Sequence, residues 1–321
     1  MSLPLNRVES IPHWLMVASL IFLGTSLVRA EPVVPGTGSK LPQVGDDFED
    51  ESWEYIYNLP KSSQNIDGQN RYPSGEAKNG RWYEGMKRGQ PDLIKRVPTP
   101  PGGLSGSQGS LLLRSLSTGI PGHPSYQMQQ DDFIADVSSR IGGSIPASRT
   151  PSAVVRVFLP AFENWEKRNG PHFAFRTALD TTITKQSQGR GIRFSSTQRV
   201  AETYWPGFFI ELEGKGEGRD HDSARLRIRA NQWGGDFAGP EITTTGWWTF
   251  GMSVTPDGMV HYYAKPGIED LAEKDYITSQ YPYGYRCQQF GTFFFNVCNG
   301  DDGHTWSTEW VIDDPAVYCV R

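Results

Sequence analysis

From Asp46 onward the chain alternates apolar and polar residues with a period of two, and this feature most restricts its fold. The clearest runs are Phe208-Phe209-Ile210-Glu211-Leu212-Glu213 and Ala224-Arg225-Leu226-Arg227-Ile228-Arg229-Ala230. Successive strand side chains point to opposite faces, so Ile210, Leu212, Leu226 and Ile228 share a buried face while the charged residues share the other. Similar runs occur at 110–115, 154–159, 172–179, 191–195, 247–254, 260–264, 291–298 and 310–320. Turn signals stand between them at Asn169-Gly170, Pro256-Asp257-Gly258 and Asp301-Asp302-Gly303. The pattern predicts roughly ten to thirteen strands and no helix longer than two turns, which is the signature of an antiparallel β-sandwich.

Composition agrees. The 35 Gly and 23 Pro among 321 residues are too many breakers for a helical bundle, and 10 Trp supply ample core material. A formal net charge of −5 argues against a nucleic-acid binder, which is usually basic.

The uncharged apolar run 15–28 is shorter than the about 20 residues of a membrane-spanning helix and reads as a secretory h-region. Val28-Arg29-Ala30 fits a cleavage site, so residues 1–30 are expected to be a signal peptide, with an uncleaved N-terminal anchor as the alternative. Residues 31–45, rich in Pro and Gly, read as a linker. Residues 46–321 read as a single sandwich domain, with 61–106 as a long loop excursion over one end or face. The expected location is secreted, periplasmic or cell-surface, with no membrane contact beyond the N-terminal segment. An oxidising compartment favours one disulfide. Cys287 with Cys298 is preferred over Cys298 with Cys319, and no Cys-x-x-Cys spacing points to a zinc or redox site.

The stretch Gly246-Trp247-Trp248-Thr249-Phe250-Gly251-Met252-Ser253-Val254-Thr255-Pro256-Asp257-Gly258-Met259-Val260-His261-Tyr262-Tyr263 resembles a hairpin of concanavalin A-like jelly rolls, the lectin, glucanase and laminin-G-like superfamily. The ends, Asp47-Phe48-Glu49-Asp50 and Val311-Ile312-Asp313-Asp314, resemble the first and last strands of jelly-roll carbohydrate-binding modules. The resemblance implies an all-β, antiparallel jelly-roll sandwich and a polysaccharide or glycoconjugate as partner. Folds of this kind host lectins, lyases, hydrolases and adhesion modules, so the fold alone does not fix the function. Pro315 within the last run is expected at an edge or a bulge.

Strand parity places Arg225, Arg227 and Arg229 opposite Glu211 and Glu213 on a non-core face. Arg156, Arg176, Arg193 and His172 hold comparable alternate positions. One reading is a solvated face laced with cross-strand ion pairs. The other is an anion-binding cleft, because a planar guanidinium grips carboxylate or sulfate with two parallel bonds. Jelly-roll lyases imply a third, with Arg176 or Arg227 neutralising a uronate and His172, Tyr262 or Tyr263 removing a proton. A hydrolase would use paired carboxylates, for which Glu211 and Glu213 are the candidates, although the fuller Glu-x-Asp-x-x-Glu pattern is absent. Trp82, Tyr83, Trp205, Trp233, Tyr281, Tyr283 and Tyr285 are candidates for stacking on sugar rings, with Trp233 and Tyr283 placed in the binding set. None of these readings requires a cofactor. A structural calcium is the candidate ion, held by Asp47, Glu49, Asp313 and Asp314 if the chain ends pair. A structural or adhesion module without a small-ligand site completes the alternatives.

Overall fold

The computed structural model describes residues 30–188, 195–216 and 218–320. The apolar run 15–28 and Arg193 lie outside the described residues. The strands in chain order are β1 (Ser39–Gly45), β2 (Tyr55–Ile56), β3 (Glu76–Ala77), β4 (Trp82–Glu84), β5 (Leu93–Pro98), β6 (Gly109–Arg114) and β7 (Gln129–Ala135). Then come β8 (Ile145–Pro146), β9 (Ser152–Leu159), β10 (Gly170–Gln188), β11 (Ser195–Tyr204), β12 (Gly207–Glu213) and β13 (Ser223–Arg229). The last are β14 (Asp236–Ile242), β15 (Gly246–Val254), β16 (Val260–Pro266), β17 (Tyr276–Gln280), β18 (Gln289–Asn299) and β19 (Trp310–Cys319). Two short helices, α1 (Gln64–Asp67) and α2 (Val137–Ile141), interrupt them.

The strands form two sheets whose neighbours pair antiparallel. One has eight strands, β17-β16-β15-β9-β19-β6-β5 with β1 against β19. The other has eleven, β14-β13-β12-β10-β18-β7-β4-β3-β2, with β11 on β10 and β8 on β18. Among the described residues the chain crosses between sheets after β1, β4, β6, β8, β9, β14, β17 and β18, as in a jelly roll. No described helix is long and apolar enough to cross a membrane.

Alternation does what the sequence predicts. Phe173, Phe175, Phe208, Ile210, Leu226 and Ile228 face inward from the larger sheet and are buried. Phe250, Val155, Val157, Trp310 and Ile312 meet them from the smaller one. Phe173 stacks on Phe295 at 5.7 Å and on Trp310 at 4.9 Å, so one ring ties the two sheets together. Such offset aromatic pairs each add about 0.5–1.5 kcal/mol beyond the area they bury.

Three expectations about organisation are revised. Residues 31–45 are not a linker: β1 pairs with β19, and Gly36 N donates to Ser152 Oγ at 3.1 Å. Val44 is buried in the core and Leu41 packs against it, so the segment contributes side chains as well as backbone. The 61–106 excursion is not a bare loop, since it contributes α1 and three strands, with β3 and β4 in the larger sheet and β5 in the smaller. It is anchored by buried Lys61, whose Nζ reaches Asp131 at 2.6 Å and Asp92 at 3.0 Å. Burial pulls the Lys61 pKa down, but the two carboxylates outweigh it and hold the ammonium charged.

The preferred disulfide is absent as well: Cys287, Cys298 and Cys319 are all free and buried. The extended strand β18 begins two residues after Cys287 and contains Cys298 near its far end, separating them by roughly 30 Å at about 3.3 Å per residue, far beyond the reach of one S–S bond. Pro315 sits at a bulge, where the pairing of β19 with β9 shifts between Asp313 and Ala316.

Candidate functional site

The outer face of the larger sheet carries a row of aligned residues. Phe294 on β18 pairs with Arg176 on β10, Arg176 with Gly207 on β12, Gly207 with Arg229 on β13, and Arg229 with Asp236 on β14. The next row runs Asp132, Asn296, Ala174, Phe209, Arg227. Small side chains at Gly207 and Ala174 leave the middle of this face low, and the long Arg176 side chain fills the dip. Its guanidinium lies 5.3 Å from the rings of both Phe209 and Phe294. The Arg229 guanidinium stands 4.7 Å from the other side of the pattern, over Phe209. Cations and aromatic faces therefore alternate across four strands, β18, β10, β12 and β13.

Arg176 is 7% exposed. Nη2 donates to the Trp205 carbonyl at 2.6 Å and Nη1 to Asn296 Oδ1 at 3.4 Å. Nε has no partner, and among the described residues the guanidinium forms no ion pair. Burial, with Arg229 beside it, lowers its pKa to about 10, so it remains charged at neutral pH. A buried charge without a counter-ion is costly unless a ligand or a dense set of dipoles answers it.

Arg176 and Phe294 floor a groove of about 200 Å³. The 61–106 segment supplies one wall through Asn65, Lys87 and Arg88. Lys87 Nζ lies 4.1 Å from the Trp205 ring, and neither Lys87 nor Arg88 ion-pairs among the described residues. Trp205, Arg229 and Tyr283 also line it. Gln130 and Asp132 close it from β7. Asp132 Oδ1 accepts from Asn296 Nδ2 at 2.5 Å. Burial pushes the Asp132 carboxyl above its ordinary value, opposed by Arg88 and Arg176. Four cations thus surround a single lining carboxylate.

Two larger hollows are less suited to binding. In the one bounded by Glu211, Glu213 and Arg219, the Glu213 carboxylate already pairs with Arg219 and Arg225. In the one around Asp46 and Arg81, Arg81 donates to the Gly45 carbonyl, and Asp46 Oδ2 accepts from Trp53, Trp82 and Asn79.

The remaining Arg-rich face divides in two. Arg225 pairs with Glu213 at 3.0 Å, Arg227 with Glu211, and Arg229 with Asp236 at 2.8 Å. These are the cross-strand ion pairs expected of a solvated face, and they occupy both hydrolase candidates, Glu211 and Glu213. Arg156 is not on this face at all. It belongs to β9 of the smaller sheet and pairs with Asp270 at 2.6 Å and Asp314 at 3.3 Å. Parity within a strand cannot tell which sheet the strand joins.

The lyase set His172, Arg176, Arg227 and Tyr262 does not converge. His172 is buried against Trp165, with Nδ1 2.9 Å from Thr308 Oγ1. Burial drives its pKa down to about 3, so it is neutral. Tyr262 lies between the sheets, 5.4 Å from the Phe208 ring, with its hydroxyl donating to the Arg229 carbonyl. Tyr263 is buried on the smaller sheet beside Tyr276.

Nor does the acidic quartet form a cage. Asp47 Oδ1 accepts from Glu49 N, Glu49 accepts from Gln108 N, and Asp313 accepts from Ser107 Oγ, while Asp314 pairs with Lys40 at 2.7 Å. Among the described residues no group of three or more His, Cys, Asp or Glu is arranged to hold a metal ion.

Of the aromatic candidates, Trp82 is a core residue stacked on Phe133 at 4.6 Å. Trp205 and Tyr283 line the groove, and Trp233 is 84% exposed. Sequence reasoning did not single out Asn65, Lys87, Arg88, Gln130, Asp132 or Asn296. The polar run Gln130-Asp131-Asp132 and Asn296 within an otherwise apolar strand mark the β7 and β18 contributions. No local signal marks Lys87 and Arg88, which reach the sheet only by tertiary folding.

No protein-family model matches the chain, and no curated protein matches it in sequence. Among solved structures it is similar to a carbohydrate esterase from the Shiga toxin-encoding bacteriophage phi24B, at 10% identity, covering 76% of this chain and 92% of that one, with a TM-score of 0.40. It is also similar to a marine PL7 alginate lyase from Zobellia galactanivorans, at 13% identity over 71% and 85% of the two chains, with a TM-score of 0.38. A third is the binding domain of a botulinum neurotoxin DC, at 10% identity over 81% and 47%, with a TM-score of 0.33.

Proposed function

We propose that the chain recognises an acidic polysaccharide, uronate-bearing or sulfated, in the groove above Arg176. The observation that carries this reading is the Arg176 guanidinium, buried, charged and without a carboxylate partner among the described residues. An acid group of a sugar would supply that partner with the bidentate geometry that guanidinium favours. Lys87 and Arg88 add positive potential, Gln130 and Asn65 offer amides for hydroxyls, and Trp205 and Tyr283 offer flat rings for the apolar face of a pyranose.

A second reading, β-elimination of a uronate, rests on Tyr283. It lines the same groove as Arg176, and proton abstraction beside a carboxylate needs a base and a neutralising cation. A two-carboxylate hydrolase is not supported, because Asp132 is the one carboxylate among the described lining residues. Calorimetric titration with polygalacturonate, dextran sulfate and neutral dextran tests the proposal. Binding to the acidic polymers and not to dextran is expected, while equal binding to dextran would defeat it. Ultraviolet absorbance from an unsaturated uronate product, lost in Tyr283→Phe, would move the assignment to a lyase.

A further inference from the structure

The turn between β13 and β14 carries the most exposed indole among the described residues, Trp233 at 84%. A single exposed aromatic needs no explanation by itself. Here, however, the backbone beneath it is fixed in detail. Asn231 Oδ1 accepts from both Trp233 N and Gly235 N, each at 2.8 Å. The Asn231 carbonyl accepts from Gly234 N at 3.0 Å and from Tyr283 N at 2.9 Å. Gly234 has φ +78°, and a Cβ there would run into the Tyr283 ring. The turn is therefore stapled to Tyr283, the residue that forms one wall of the groove.

A rigid backbone holding a large flat ring in water, continuous with a cationic groove, suits one occupant: the face of a second sugar in the same chain. We propose that Trp233 is an outer subsite that stacks on a pyranose adjacent to the one whose acid group meets Arg176. This rests on the reading of the groove as a polysaccharide site. It adds that the ligand is an oligomer rather than a free sugar acid, and that affinity grows with chain length at the Trp233 end. Ring stacking is favoured because the indole offers wide contact area while losing little rotamer freedom.

The test is titration of the full chain and of Trp233→Ala with galacturonate oligomers of increasing length. For the shortest oligomers the two proteins should bind alike. For long ones the wild type should bind about tenfold tighter, and Trp233→Phe should recover much of the difference. Trp233 is exposed, so thermal midpoints of the variants should match the wild type. If the wild type binds long oligomers and Trp233→Ala binds them equally, the outer subsite is wrong and the groove reading stands. If the wild type binds no oligomer of any length, both fail.

Discussion

Gly207 makes room for Arg176. A Cβ on Gly207 would lie 2.5 Å from Arg176 Cγ and 2.6 Å from the Phe175 carbonyl oxygen, so only the glycine hydrogen lets the arginine side chain cross β12. The position has no demand for positive φ; the requirement is space. Gly207→Ala should therefore displace Arg176 without altering any charge. Overpacking of this kind costs about 1–3 kcal/mol of stability. In a double-mutant cycle on affinity for polygalacturonate, Gly207→Ala and Arg176→Lys should be strongly non-additive, the second change adding little after the first. Full additivity would mean that Gly207 acts on stability alone.

The paired arginines give the contrast. Arg225 is engaged by Glu213 through Nε at 3.0 Å and sits outside the groove lining. A partly exposed pair contributes about 0.2–1 kcal/mol, so Arg225→Ala should lower stability by no more than that. Its affinity for an acidic polymer should stay within about twofold of wild type. A loss comparable to that of an Arg176 variant would indicate that the whole strand face binds ligand.

Asp132 opposes an anionic ligand. Its carboxyl is pushed up by burial, so acidification neutralises it more readily than an exposed carboxylate. Dextran sulfate keeps its charge on such acidification. Wild-type affinity for it should rise on acidification from neutral, and Asp132→Asn should bind more tightly at neutral pH with a flatter profile. A weaker Asp132→Asn complex would instead make this carboxylate a ligand contact.

A second raised carboxyl reports on stability alone. Asp313, on the smaller sheet and away from the groove, is raised by burial to about 6. Its neutral form is the one the folded state prefers. The stability it contributes is fully present below its unfolded value and is lost as pH rises through about 6. Asp313→Asn, which keeps an acceptor for Ser107 Oγ, should raise the thermal midpoint at about pH 7, by on the order of 1 kcal/mol in stability, and leave it unchanged near pH 4. A lower midpoint at neutral pH would contradict this.

Much of the architecture was legible because strand parity is a local property. The facing of Phe173, Phe175, Ile210 and Leu226 follows from period-two alternation, and the resemblance carried by 246–263 implied the sandwich. What parity could not supply was sheet membership. Arg156 and Arg176 look alike in sequence, yet β9 and β10 lie in different sheets, so one arginine pairs with Asp270 and Asp314 and the other forms no ion pair among the described residues. Sequence also concealed the origin of the groove wall. Lys87 and Arg88 come from a Gly- and Pro-rich segment whose order depends on buried Lys61, Glu84 and Asp131, polar residues that satisfy one another only after distant strands have met. The acidic quartet failed for the same reason in reverse: chain ends that pair did not aim their carboxylates at one point.

The central claim is that buried Arg176, without an ion pair among the described residues, receives the acid group of a polysaccharide. The most direct test is the affinity of the full chain for polygalacturonate, compared between the wild type and Arg176→Lys, with Arg225→Ala as control. Lysine keeps the charge and removes the planar fork. The account predicts measurable wild-type binding, at least about tenfold loss in Arg176→Lys, and near-wild-type binding in Arg225→Ala. Undiminished binding by a folded Arg176→Lys, or no binding of an acidic polymer by the wild type, would contradict it.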